Sequence, residues 1–578
     1  MKTNIAFWLL SAALVLSLPG CKKNPPAPQE VKVTSVTVTP STLPLVEGES
    51  GDLTVTVLPS DATDPTVTWS SSDPSVASVS SGTVTAVSPG VATVTATAGG
   101  KQGSCTVTVS AAAVPVTGVE MSLDQAWIYV GETLSLTATV LPGNADDKTV
   151  SWSSSSPEVA SVDQEGLVTA VAPGNTVITV TTRDGGKTAS CTVDVLPKGE
   201  LVYEKMDAVK LADMNNARAS FAIFRSGDGV VVAGGHVNSF IASNSAEYYD
   251  PAANTWTKLG NMSSHHDNTA FAALGDGRYM VLGGSGNSGS GRHGVVDIYL
   301  PSTKTFIPGP GLNYGRALFR ALALGNGDVL VSGNWYSGDS IEAYSAETGE
   351  FSFVKDVSQS RSYPYLLRTA ADNAIVFGNY GSQGGAFSKI SIDRYKGDAY
   401  TTPLFDEWRP VANDAGWSAD LLFIGDAAAG DFRYLLPVFQ GSSSDKATAF
   451  GIALVKGEEF SLLKTDFEIP LRNDKNEKIL YSALVADPSR KVAYLFGSNI
   501  LRGSMTGVTC YILRMDYSGI AAGGSLRLKM YYTDPLDSFN CGGQGGFILL
   551  PDGRLMVCGG IYNSNFSPFP TAYAFKPF

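Results

Sequence analysis

The chain has 578 residues, 43% hydrophobic and 16% charged, and its 41 basic and 54 acidic side chains give a formal net charge of −13. That length exceeds what one hydrophobic core supports, so several domains are expected, and the apolar content argues against disorder. The acidic field repels phosphate backbones, which argues against nucleic acid as a partner. Sixty-one glycines and thirty prolines, with few long apolar stretches at helical spacing, predict many short strands joined by tight turns. The fold class is all-β.

Residues 1–20 read as an export signal: Lys2 supplies the positive start, and the apolar run Ile5–Leu18 is short for a bilayer span, which takes about 20 apolar residues. The run ends in Leu18-Pro19-Gly20-Cys21, which resembles the lipobox of bacterial lipoproteins. Pro19 stands where that family usually has Ala, Ser, Thr or Val. The resemblance implies cleavage before Cys21 and acylation of Cys21, so the protein would be held on a membrane by a lipid anchor. Residues 21–30 form a polar, Pro-rich tether that cannot pack.

Residues 31–112 and 113–198 form an internal duplication. TVLPSDATDPTVTWSSSDPSVASVSSGTVTAVSPGVATVTA recurs as TVLPGNADDKTVSWSSSSPEVASVDQEGLVTAVAPGNTVITV, with Trp69 matching Trp152 and Cys105 matching Cys191. Each copy alternates apolar residues with Ser or Thr and is broken by Pro and Gly turns, which predicts two packed sheets with the Trp filling the middle. One Cys per copy cannot form a bridge within the copy, so Cys105 and Cys191 are expected as small buried apolar groups. Cys510, Cys541 and Cys558 are an odd set without CxxC spacing, which supports neither zinc nor a disulfide framework. Both copies resemble bacterial Ig-like domains of group 2. That family implies spacer or adhesion roles, and the scarcity of exposed aromatic residues favours the spacer.

Residues 199–578 follow a longer period. Apolar strands ending in glycine close at residues 235, 284, 334, 379, 441, 498 and 560, steps of 49, 50, 45, 62, 57 and 62. Hairpin dipeptides Asp228-Gly229, Asp276-Gly277, Asn326-Gly327 and Asp552-Gly553 precede four of them. A four-stranded unit repeated at about 50 residues is what a β-propeller blade requires. The glycine pairs, followed by a Tyr and then a Trp or Phe, resemble Kelch repeats. Seven glycine-ended strands predict seven blades, with six as the alternative. The last unit lacks an outer strand, which Leu201–Lys205 is expected to supply.

In such a ring, loops from different blades converge at one mouth. Arg218, His266 and Arg316 each lie eleven residues before a hairpin glycine, which puts them at one level. Together with His236, Asp267, Trp335, Tyr336, Tyr363, Trp417 and Tyr481 they are the candidate ligand residues. Aromatic rings stack on sugar faces and planar polar groups read hydroxyls, so the expected ligand is a glycan.

The four histidines fit no compact metal motif, and no cofactor is expected. Copper radical oxidases also combine a Kelch-type propeller with an Ig-like domain, but they need a His late in the chain, and none follows His293. For an epimerase or lyase, His266, Asp267 and Glu247 would be the acid–base groups, although their spacing singles out no catalytic set. The architecture resembles glycan-binding lipoproteins of Bacteroidetes, which implies an outer-membrane anchor and an importer complex as partner, facing the cell surface in preference to the periplasm. Lys22-Lys23-Asn24 lacks the acidic residues often found after the lipid-bearing Cys of surface-exported members. A protein-binding adhesin is the remaining alternative.

Overall fold

The computed structural model describes residues 29–578 except 238–240, 287–290, 335–338, 379–388, 404–407, 411–421, 442–446, 464, 466, 474, 500–506, 521–525, 537–544, 562–567 and 577–578. Among the described residues the chain is strand and turn, with no α-helix. It divides into two compact units near residue 194.

The first unit holds the duplication, and both copies have the same sheets. In the first copy a four-stranded sheet runs Thr42–Val46, Lys101–Ser110, Gly90–Ala98, Thr68–Ser71, and a three-stranded sheet runs Ser50–Asp52, Thr83–Ala86, Ala77–Ser80. Period-two alternation makes these sheets one-sided. Along Thr83–Ala86 exposed Thr residues alternate with buried Val84 and Ala86. Cys105 and Cys191 are fully buried, and burial pushes both thiols up, Cys191 to about 12. Trp152 is buried as expected, whereas Trp69 is half-buried and packs against the edge of a core made by Ala77, Val84, Val94 and Cys105. Each ring lies against a glycine at positive φ, Gly82 or Gly166. A Cβ on Gly166 would stand 2.4 Å from the Leu136 carbonyl and 2.9 Å from the Trp152 ring.

Among the described residues the second unit has seven sheets of four or five strands and a two-stranded sheet of His236–Val237 and Ile241–Ala242. The first of the seven is Ala222–Ser226, Gly229–Ala233, Ala246–Asp250 and Thr255–Lys258 in antiparallel order. Each of the seven shares an apolar cluster with the next, and the seventh shares one with the first, so the sheets form a closed ring. This explains the continuous apolar strands. In Gly229–Ala233, Val230 and Val232 pack on the seventh sheet, while Val231 and Ala233 pack on the second. A strand buried on both faces has no polar face to alternate.

Closure differs from the expectation. Ala208–Lys210, not Leu201–Lys205, is the outer strand of the last sheet, antiparallel to Ala572–Phe575. Tyr203–Lys205 instead runs parallel to Arg527–Tyr532 as a fifth strand of the sixth sheet, where Glu204 pairs with the buried Lys529 at 2.7 Å. The first sheet then clamps the chain leaving the closing strand. Asn254 Oδ1 accepts the Ala212 N–H, and Trp256 Nε1–H donates to the Ala212 carbonyl, both at 2.9 Å.

Leu211 N–H donates to Ala572 O, and two residues earlier Val209 faces Ala574, the next hydrogen-bonded pair of this ladder. Val209→Pro removes that donor while its half-exposed side chain leaves the core untouched. The expected cost is about 1 kcal/mol or more, read by calorimetry as a lower melting temperature of the ring. An unchanged transition would refute closure by this strand.

Candidate functional site at the mouth of the ring

Four successive sheets repeat one arrangement. The residue pair entering the first strand carries a basic side chain, and the third strand carries an acid that meets it inside the sheet. The pairs are Arg218–Glu247 at 2.6 Å, His266–Asp297 at 2.8 Å, Arg316–Glu342 at 2.8 Å and Arg361–Asp393 at 2.7 Å. All eight side chains are at most 2% exposed. Each acid also accepts a backbone N–H from the entering segment: Asn215 and Asn216 on Glu247, Ser263 on Asp297, Asn313 on Glu342, Ser358 on Asp393. Three of the bases also reach the carbonyl at the end of the glycine-ended strand: Gly234 for Arg218, Gly283 for His266 and Gly333 for Arg316. Arg218, His266 and Arg316 are therefore at one level, as their spacing predicts, but they lie inside the sheet walls. Asp339 adds a further buried carboxylate, accepting the Gly333 and Arg361 N–H groups, and burial pushes its carboxyl up.

The ends of the glycine-ended strands do the joining between sheets, through a glycine in three cases and Asn334 in the fourth. Gly235 N–H donates to His266 O at 2.6 Å, Gly284 N–H to Arg316 O at 2.7 Å, Asn334 N–H to Arg361 O at 2.9 Å, and Gly560 N–H to Arg218 O at 3.0 Å. A Cβ on Gly234 would come 2.4 Å from the His266 carbonyl, so the approach needs glycine.

Two residues beyond each base the backbone turns left-handed, at Ser220 (φ 57), Asn268 (φ 53), Leu318 (φ 58) and Tyr363 (φ 49). All four are half-exposed at the mouth. Left-handed conformations at non-glycine residues are strained and persist only when the surroundings fix them. Here the fixing is visible: Leu318 N–H donates to Asn268 O, and Tyr363 N–H donates to Leu318 O at 2.6 Å.

Three predicted residues meet in this layer. His236 Nδ1 lies 2.9 Å from Asp267 Oδ1, Asn268 Nδ2–H donates to Asp267 Oδ2 at 3.0 Å, and Tyr363 O–H donates to Asn268 Oδ1 at 3.0 Å. The Arg320 guanidinium lies 4.8 Å from the centre of the Tyr363 ring. The network spans the first, second and fourth sheets. Desolvation pushes the Tyr363 phenol well above its usual range, Arg320 opposing and Asp267 adding to the effect. Asn268 and Arg320 escaped sequence reasoning; Asn268 is legible only as the residue two beyond His266 in a register shared with Tyr363.

Tyr481 is not at the mouth. It is buried between the fifth and sixth sheets, tilted against Phe450 at 4.8 Å, with its O–H on the Pro470 carbonyl, because its strand faces that core. Cys21, Trp335, Tyr336 and Trp417 lie outside the described residues.

His266 stands where three other sheets have Arg, and Arg361–Asp393 shows that Arg fits an Asp partner. His266→Arg is expected to keep near-native stability. His266→Ala strands Asp297 in the wall at a cost of about 3 kcal/mol, measured by denaturant unfolding. Burial pushes the Asp297 carboxyl up, but hydrogen bonds from His266 and Ser263 outweigh it and hold it below the usual range. That wild-type contribution is present above about pH 4 and lost as pH falls through the lowered folded value. In the alanine variant only the Ser263 hydrogen bond still opposes burial and protonation relieves the stranded charge, so the gap between the two proteins should shrink on acidification. A gap independent of pH would refute the assignment.

The bacterial Ig-like domain (group 2) family matches residues 32–109 and 115–193, and the Kelch motif matches residues 217–263. An Ig-like virion protein of Serratia phage KSP90 is 41% identical over 173 residues, which is 29% of this chain and 67% of the phage protein. A 3-O-alpha-D-galactosyl-alpha-L-arabinofuranosidase of Bifidobacterium longum subsp. longum is 43% identical over 93 residues, 16% of this chain and 8% of the enzyme. An F-box/kelch-repeat protein of Arabidopsis thaliana is 34% identical over 90 residues, 16% of this chain and 24% of that protein. A solved fungal alcohol oxidase of the AA5 family, in complex with copper, covers 64% of this chain and 76% of its own at 13% identity and a TM-score of 0.45. The chain thus belongs to the proteins built on bacterial Ig-like domains of group 2, with a Kelch motif at the start of the ring that follows.

Proposed function

We propose that the protein is a lipid-anchored, extracytoplasmic glycan-binding protein, which captures its ligand at the ring mouth while the Ig-like domains act as a spacer. The observation that carries the reading is the layer of His236, Asp267, Asn268 and Tyr363. A carboxamide and a phenol, both half-exposed, are held in fixed positions by a buried imidazole–carboxylate pair. Asn268 offers donor and acceptor in one plane, which suits adjacent hydroxyls. Because the groups are already ordered, little conformational entropy is lost on binding. His236 and Asp267 are 0% and 3% exposed, so they act as support for contact residues, which favours capture over turnover. The bifidobacterial relative, named for a galactosyl-arabinofuranosyl linkage, supports a sugar ligand. The lipobox resemblance at Cys21 supports the anchor, while the outer-membrane setting and an importer complex as partner rest on the likeness in architecture to glycan-binding lipoproteins of Bacteroidetes.

The mature chain on a glycan array should retain at least one saccharide without releasing product. By calorimetry, Asn268→Ala should weaken that saccharide about fivefold and Tyr363→Phe by less, as expected for lost hydrogen bonds of about 1 kcal/mol. Retention of no saccharide, or wild-type affinity in both variants, would sink the reading. Separately, Cys21→Ser should move the protein from the membrane fraction to the soluble extracytoplasmic fraction on fractionation. Membrane retention would disprove the anchor.

A further inference from the structure

The ring has a second concavity, at the end opposite the mouth. In an antiparallel four-stranded sheet the first and third turns emerge together at one end, away from the connections that form the mouth. Between the fourth and fifth sheets those turns enclose a cleft of about 800 Å³, lined by Thr369, Asp431, Arg433, Lys456, Glu458 and Glu459. Its size lies in the range of small-molecule sites, roughly 300–1,000 Å³.

The cleft exists because the fifth sheet departs from the repeat. Where the first, second, third and seventh sheets turn through Asp-Gly or Asn-Gly, residues 424–432 connect Leu422–Phe423 to Arg433–Gly441. This turn is ordered from within. Asp426 Oδ1 accepts the Ala428 and Ala429 N–H groups, and Asp431 N–H returns to the Asp426 carbonyl at 2.8 Å. The opposite wall is the turn between Ala447–Lys456 and Glu459–Leu462, where Lys456 faces Glu459.

Two fork-shaped ion pairs stand in the walls. Arg433 Nε–H donates to both Asp431 oxygens at 2.8 Å. Arg394, from the third strand of the fourth sheet, donates from Nε to Glu458 Oε1 at 2.8 Å and from Nη2 to Oε2 at 2.6 Å. The Arg394 hydrogen bonds hold the Glu458 carboxyl below its usual range. These side chains are 19–32% exposed, and Asp431, Arg433 and Glu458 line the cleft.

The lining carries the bases Arg433 and Lys456 and the acids Asp431, Glu458 and Glu459, and Arg394 outside it offsets Glu458. A charged ligand would gain little from a balanced field and would have to break a pair formed in place. A hydroxyl, donor and acceptor at once, can bridge a guanidinium edge and a carboxylate lone pair without disturbing either. We infer that this cleft is a second ligand site, which takes a short neutral oligosaccharide. It assumes the same ligand class as the mouth reading but uses none of its residues, so each can fail alone.

The test uses the intact mature chain, titrated calorimetrically with maltohexaose, cellohexaose, xylohexaose and mannohexaose, and with trigalacturonate and calcium as charged probes. The variants are Arg433→Gln, Lys456→Gln and Asn268→Ala. Lys456 is exposed, so its variant keeps the test valid if Arg433→Gln unfolds. The expected result is a neutral hexasaccharide weakened about tenfold by Arg433→Gln and several-fold by Lys456→Gln, with an isotherm that persists in Asn268→Ala. Three results overturn the inference: no saturable binding of any neutral probe at millimolar concentration, binding lost only in Asn268→Ala, or tighter binding of trigalacturonate or calcium than of every neutral probe.

Discussion

The buried base–acid pair inside each of the first four sheets is the constraint on which the mouth depends. Replacing such a pair by apolar groups is often neutral for stability, so its value lies in placement. Each acid takes both the base and the backbone N–H of the segment entering the sheet. This fixes the chain direction at the one point where it must turn left-handed and start the innermost strand. The base then carries its own carbonyl to the glycine of the neighbouring sheet. One side chain thus sets the register within a sheet and the join to the next.

The same constraint explains why mouth residues act as a layer. Asn268, Leu318 and Tyr363 are consecutive steps of one backbone relay, so the Tyr363 hydroxyl reaches Asn268 across an intervening sheet. The side chain of Leu318 contributes no polar group. Its backbone alone passes the hydrogen bond, which is why a non-polar residue tolerates a strained φ there. Asp267 gains from this geometry, because Asn268 and His236 occupy separate oxygens of one carboxylate.

Much of the fold is legible in the sequence because it follows from period. The Ser/Thr alternation in residues 31–198 and the glycine-ended apolar strands both state which faces are buried. The eleven-residue spacing of Arg218, His266 and Arg316 is legible too, but their partners are not. Glu247, Asp297, Glu342 and Asp393 follow their bases by 29, 31, 26 and 32 residues, because the connection between second and third strands varies in length. Without a constant offset, an exposed rim position and a buried one look alike. The closing strand is ambiguous in the sequence for a related reason. Tyr203–Lys205 and Ala208–Lys210 are both three-residue edge strands with little apolar content, and only pairing distinguishes them. Tyr481 misled because an aromatic at the start of an inner strand can face the channel or the adjacent sheet.

The two ends of the ring face different demands. At the mouth the chain is held by glycine-to-carbonyl bonds between sheets, so insertions must enter beyond the second strand and leave the relay intact. At the hairpin end the Gly325 N–H donates to the Ala371 carbonyl between the third and fourth sheets, and side chains such as Arg394 and Glu458 bridge the fourth and fifth. A longer turn there, such as residues 424–432, changes no inter-sheet register. The end that is freer to vary is therefore where a new concavity can form without cost to closure, and where the repeat is least visible in the sequence.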